Sequence, residues 1–266
     1  MLRPDMGHRV KIHASQMKRI SILFWVWILL SGPIYGQQKE IRVLFVGNSY
    51  TYAYNLAHIV SLMSGETSTL LVTRKSVVGG ADLREHWYGG RGLQTRTIIA
   101  EGDFDAVVLQ DFSMAAINSP DSLLKYVRLF TEYNRSCGAR TYLFNTWARE
   151  KVPQYQEEID AVYRQAAEEN HVVRVPVGPA WELALRLRPS VDLFTSDGSH
   201  PNELGTLLTA SVFVRCLTGE LPDTLPTLYR IEDAFGETVR LMNHNPEDVE
   251  FCRRIALQIC DDSTQK

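Results

Sequence analysis

The sequence predicts an α/β fold of three layers, with helices covering both faces of a central parallel sheet. Three observations predict it. Apolar runs such as residues 43–46 are short and continuous, the pattern of strands buried on both faces. Longer stretches with helical spacing separate these runs, as in successive βαβ units. Polar and glycine residues follow directly after each run, where open parallel sheets place their ligands.

In chain order, residues 41–46 read as the first strand and residues 53–63 as the helix after it. Residues 70–78 are rich in β-branched side chains and stop at Gly79-Gly80. Residues 105–109 form a short apolar strand behind Gly102. Ser119-Pro120 opens a helix to Asn134, with serine suited to the cap and proline to the first turn. Residues 141–144 form the next strand. From Pro153 to Glu169, Ile159, Val162, Tyr163, Ala166 and Ala167 share one helical face. Residues 172–175 are the last strand of the series. After His200, Leu204, Leu207, Leu208, Ser211 and Val212 mark a helix that Gly219 ends. Residues 221–227 are broken by proline and threonine and read as a loop, and Asn245-Pro246 starts a final helix.

Composition bounds the rest. Of 266 residues, 45% are hydrophobic and 22% charged, which excludes a disordered or collagen-like chain. Residues 1–36 read as a signal peptide before a single domain over 37–266. Lys18 and Arg19 precede an apolar run over 20–30, Ser31-Gly32-Pro33 break it, and Gly36 offers a small residue at the cleavage point. Met17 is the expected true start. The apolar run falls short of the ~20 residues a bilayer span needs, so no stable membrane span is expected after cleavage. The alternative is an uncleaved N-terminal anchor. The expected location is outside the cytoplasm, periplasmic or extracellular. Losing this segment removes five positive charges and one negative, taking the net charge from −3 to −7. An acidic chain without basic blocks argues against nucleic acid as a partner.

Four cysteines, Cys137, Cys216, Cys252 and Cys260, permit disulfides in an exported chain. Cys252 and Cys260 lie about 12 Å apart along a continuous helix, too far to bond. Their spacing fits no zinc pattern, and no glycine-rich phosphate loop appears, so neither a metal nor a cofactor is expected.

Two segments carry chemistry. Ser49 directly follows the first strand, where a sharp strand-to-helix turn would expose its hydroxyl; capping the next helix is the competing role. Asp197 and His200 are three residues apart on a turn that Gly198 permits. A carboxylate there can hold one imidazole nitrogen and leave the other as a base for a serine hydroxyl. The same turn also suits a helix cap, and the two roles are compatible.

These residues sit in blocks that resemble the SGNH hydrolases, or GDSL-type esterases. Gly47-Asn48-Ser49-Tyr50 is similar to the nucleophile block of that family, with Asn48 in place of its usual aspartate. Gly80, in Val78-Gly79-Gly80-Ala81, falls where the family has its oxyanion glycine. Val107-Val108-Leu109-Gln110-Asp111 falls at the Gly-x-Asn-Asp block, with Gln110 in place of the asparagine donor. Asp197-Gly198-Ser199-His200-Pro201-Asn202 is similar to the terminal Asp-x-x-His-Pro block. The order and spacing fit from residue 41 to 217. The resemblance implies a flavodoxin-like sheet and a Ser49–His200–Asp197 triad. It also implies an oxyanion hole made by the Ser49 and Gly80 amides and the Gln110 side chain.

Glutamine at that block is also found in carbohydrate-esterase members, which points toward O-acetyl groups on a glycan or another small acylated substrate. Trp87, Trp147 and His86 are candidates for the substrate pocket, and packing in the core is their competing role. The alternatives to a short-acyl esterase are a lipase or thioesterase on longer chains, and a non-catalytic glycan-binding module of the same fold. Nothing in the sequence sets the oligomeric state.

Overall fold

The structure is a computed structural model and describes residues 38–264, with side chains to Cys260. The expected signal peptide over 1–36 lies outside the described residues. Strand β1 (Lys39–Gly47) runs into a single helical turn, Ser49–Tyr52, and then α1 (Leu56–Ser64). The expected helix over 53–63 is interrupted because Tyr54 and Asn55 take left-handed backbone angles, φ 46° and 55°, the latter a conformation asparagine tolerates. The order continues β2 (Thr69–Val77), α2 (Leu83–Tyr88), α3 (Thr95–Glu101), β3 (Ala106–Leu109), α4 (Pro120–Ser136) and β4 (Arg140–Phe144). Then follow α5 (Gln156–Asn170), β5 (Val173–Val175), α6 (Val177–Leu187) and α7 (Glu203–Thr218). A hairpin of β6 (Leu228–Glu232) and β7 (Thr238–Asn243) precedes α8 (Pro246–Thr264).

The sheet is parallel, in the order β2-β1-β3-β4-β5. Successive residues of β1 point to opposite faces. Val43 and Phe45 enter the core formed with α1, α6, α7 and α8. Leu44 and Val46 enter the core formed with α2, α3, α4 and α5. All four are fully buried, as a sheet covered on both faces requires. The chain leaves β1 for β2 on one side and returns to β3 on the other. The carboxyl end of β1 is therefore the switch point of the sheet, the place where such folds form their crevice.

Several elements were not legible in the sequence. Helix α2 has only six residues, and its start is set by a reciprocal cap between Asp82 and Glu85. Helix α6 begins Val177-Gly178-Pro179, which reads as a break. Proline is tolerated in a first turn, and Gly178 lies so close to Thr146 O that a β-carbon would collide with it. The antiparallel hairpin stands apart from the parallel sheet and buries Tyr229 and Met242 against the α7–α8 side. No helix among the described residues is long and apolar enough to cross a membrane.

Helix α8 runs unbroken through Cys252 and Cys260. Cys260 instead meets the preceding helix: its Sγ is 2.6 Å from Sγ of Cys216 on α7. Glutathione disulfide is expected to oxidise this pair to one cystine, being itself reduced to two glutathione thiols. Peptide mapping without reductant should find the 216–260 link; a 252–260 link instead would contradict this packing.

Candidate active site

The turn that carries Ser49 is built from the exits of three strands. Gly47 ends β1, and a β-carbon there would collide with Gln110 Oε1 and Thr51 Oγ1. Asn48 N donates to Gln110 Oε1 at 2.9 Å, and Asn48 Nδ2 donates to Ala81 O at 2.8 Å. Asn48 Oδ1 accepts from Tyr50 N at 3.1 Å and so caps the turn that carries Ser49. The loop after β3 and the loop after β2 thereby pin the backbone on either side of Ser49.

Ser49 Oγ lies 2.8 Å from His200 Nε2, and His200 Nδ1 lies 2.6 Å from Asp197 Oδ2. The other carboxylate oxygen of Asp197 accepts from Ser199 N at 2.8 Å, His200 N at 2.9 Å and Thr195 Oγ1 at 2.9 Å. The hydrogen bond from His200, helped by these donors, holds the Asp197 carboxyl far below the usual carboxylate range. An ionised Asp197 fixes the proton on Nδ1 and leaves Nε2 as acceptor for the Ser49 hydroxyl. Gly198 makes the turn at φ 67°. The loop is tied to the segment after β4 by Glu150 N donating to Gly198 O at 2.9 Å and Trp147 Nε1 donating to Ser199 O at 3.0 Å.

The remaining candidates separate. Gly80 is exposed at φ 70°, and neither its amide nor that of Ser49 donates to another described residue. Gln110 does not join them. It is fully buried, its Oε1 accepts from Asn48 N and from Thr51 Oγ1 at 2.9 Å, and its Nε2 donates to Asp111 O. The longer glutamine stem curls beneath Gly47, so this amide is the floor of the nucleophile turn rather than a donor into the cleft.

Trp147 offers no free face: it is 1% exposed and stacks between Tyr50 at 4.6 Å and Trp181 at 3.9 Å. Trp87 packs edge-on against Phe130 and Tyr133 of α4, with the Arg96 guanidinium 4.9 Å from its ring. His86 is buried under the turn, with Nε2 2.9 Å from Gly47 O and Nδ1 2.7 Å from Thr95 Oγ1. Burial lowers its basicity, so it braces the end of β1 as a neutral ring.

Asp111, next to Gln110, accepts from Leu83 N and Phe112 N, and burial pushes its carboxyl up to about 6. In the unfolded chain an aspartate titrates near 3.9. Between about pH 4 and 6 the folded chain therefore holds a proton that the unfolded chain has released, and stability falls as pH rises through that window. Asp111→Asn keeps the acceptor oxygen and removes the charge. It is expected to raise the unfolding free energy at pH 8 by ~1–3 kcal/mol and to leave it nearly unchanged at pH 4. Denaturant melts at the two values check this; an equal shift at both would contradict it.

Sequence reasoning missed Arg149, Ser113, Tyr50 and Ser199, which cluster beside the triad. Arg149 Nη2 donates to Ser113 Oγ at 2.8 Å, and the Tyr50 hydroxyl is 2.7 Å from Ser199 Oγ. Tyr50 and Ser199 fall inside the first and last blocks and carried a signal there, whereas Ser113 and Arg149 lie four and five residues past the ends of β3 and β4 and belong to no recognisable block.

No protein-family model matches the chain, and no curated protein matches it. Solved structures do. A candidate SGNH hydrolase from Slackia heliotrinireducens is 23% identical, with a TM-score of 0.58 over 66% of this chain and 98% of that one. A DUF4886-family protein from Bacteroides uniformis is 17% identical, with a TM-score of 0.67 over 83% and 94%. An acetyl xylan esterase is 16% identical, with a TM-score of 0.54 over 66% and 100%. At these identities the likeness is one of fold: three α/β/α layers around a parallel sheet.

Proposed function

We propose that this chain, which has the SGNH-hydrolase fold, is an exported serine esterase that removes short acyl groups, chiefly O-acetyl, from carbohydrate. One observation carries the reading: the unbroken hydrogen-bonded series Ser49–His200–Asp197 at the switch point of the sheet. Ser49 Oγ attacks the ester carbonyl as its proton passes to His200 Nε2. The negative oxygen that results is met by the Ser49 and Gly80 amides, neither of which donates to another described residue. His200 then gives its proton to the departing alcohol oxygen, leaving an acyl-serine. Water, deprotonated by the same nitrogen, attacks the acyl carbonyl and releases the acid. The solved acetyl xylan esterase of similar fold supports the choice of acetyl groups. The basic pair and apolar run before Gly36 support export.

The test is twofold. An organophosphonate ester should label Ser49 covalently, found on its peptide by mass spectrometry. The 4-nitrophenyl esters should show kcat/KM falling steeply from acetate to longer acyl chains. Labelling elsewhere, or a rate that rises with chain length, would reject the serine or the acetyl assignment respectively.

A further inference from the structure

Arg149 is a half-buried guanidinium beside the triad that lacks a carboxylate partner. Its Nη2 donates to a neutral oxygen, Ser113 Oγ, and its Nε is buried with no acceptor. No aspartate or glutamate oxygen lies within ion-pair distance of it among the described residues. Around it lie the Phe112 ring and three hydroxyls: Ser113, the Tyr50 phenol that it also approaches, and Ser199, which bonds that phenol. Tyr50 stands edge-on to His200, with ring centres 5.4 Å apart, and Ser199 immediately precedes that histidine. One fixed cation and three hydroxyls thus lie one side chain away from the catalytic base.

A guanidinium taken partly out of water costs free energy until an anion meets it. Two other arginines of this chain meet that need internally, Arg91 with Glu85 and Arg188 with Asp248. At Arg149 the chain supplies hydroxyls and the Phe112 ring, 6.0 Å from the guanidinium carbon, but no carboxylate among the described residues. The acidic groups nearby lie on another side: Glu150, Glu182 and Asp192 line, with Arg186, a cavity of about 530 Å³ that Arg149 borders and Ser113 does not. An anion would accordingly sit on the Ser113 side.

We infer that Arg149, oriented by Ser113, binds a carboxylate of the substrate, so that the preferred substrate is an acylated acidic sugar carrying its ester and its carboxylate on one ring. This rests on the esterase reading. Nε is enclosed, so the outer end of the guanidinium, Nη1 with Nη2, is the edge that would meet a carboxylate in two-point contact.

The experiment compares O-acetyl galacturonate, O-acetyl galactose and O-acetyl galactose 6-sulfate, acetylated at the same position. Each is assayed with the parent, Arg149→Gln and Arg149→Lys. The parent is expected to favour the uronate over the neutral sugar by about 10- to 100-fold in kcat/KM. Arg149→Gln should bring the ratio to about one, chiefly by raising KM on the uronate, and Arg149→Lys should restore part of it. Should Arg149→Gln fail to fold, Ser113→Ala serves, and should shrink the ratio without abolishing it.

A ratio of one in the parent, a preference for the sulfate, or an equal loss of kcat on all three esters in Arg149→Gln would overturn the assignment. Binding of free galacturonate and galactose to Ser49→Ala protein, by calorimetry, decides the matter without turnover. If no ester is hydrolysed yet galacturonate alone binds, the esterase reading fails and the carboxylate site stands. If turnover is seen and the two sugars bind alike, the reverse holds.

Discussion

Replacing Ser49 by alanine is expected to lower 4-nitrophenyl acetate turnover by about 10⁶-fold, to the rate that binding and oxyanion contacts alone sustain. The hydroxyl lies 2.8 Å from His200 Nε2, where it can both lose a proton to that nitrogen and form an acyl bond. Nothing structural depends on that oxygen: Asn48 caps the turn, and Gln110 and Ala81 hold it from either side. The variant should therefore melt within a few degrees of the parent. Acetate release and a thermal melt, measured on one preparation, check both halves. A folded variant that keeps more than a tenth of the parent's rate would remove Ser49 from the mechanism.

Asp197→Asn is expected to cost about 10⁴-fold in kcat with little change in KM. The amide oxygen of asparagine can still accept from Ser199 N and His200 N, so the loop survives. Its NH2 group, facing His200 Nδ1, donates where the aspartate accepted. The imidazole must then carry its proton on Nε2, pointing at Ser49, and can no longer take the serine proton. Nitrogen-15 NMR of the imidazole should report this change of tautomer. Combining both substitutions should cost no more than Ser49→Ala alone, because the two residues act as one unit. A multiplicative loss would mean that Asp197 has a role independent of the serine.

The parts of this molecule that were legible in the sequence are those set locally. Strands β1 and β3 announce themselves because burial on both faces leaves no polar residue in the runs 43–46 and 106–109. Asp197 and His200 lie within four residues of each other, so their relation follows from one turn. Gln110 was misread for a physical reason. The chain order shows that it follows β3, but not that its side chain fills the space left by Gly47, two strands' worth of sequence away. For Trp147 and Trp87 the sequence leaves pocket and core both open, because a rotation of one residue decides between cleft and core; both pack in the core. Arg149 went unseen because its meaning lies in a missing partner, and only three-dimensional neighbours reveal that a carboxylate is lacking.

The hydrogen bond between Ser49 and His200 joins positions 151 residues apart. During synthesis Ser49 emerges early, just after the first strand, and His200 emerges only after every strand of the five-stranded sheet has been made. Any fragment ending before residue 200 contains a serine with no group to activate it, however well its strands have paired. Such long-range closure is slow compared with local helix formation. Hydrolysis would begin only once the sheet and α7 have closed around it, so the first turnover by a nascent chain would mark the completion of its folding.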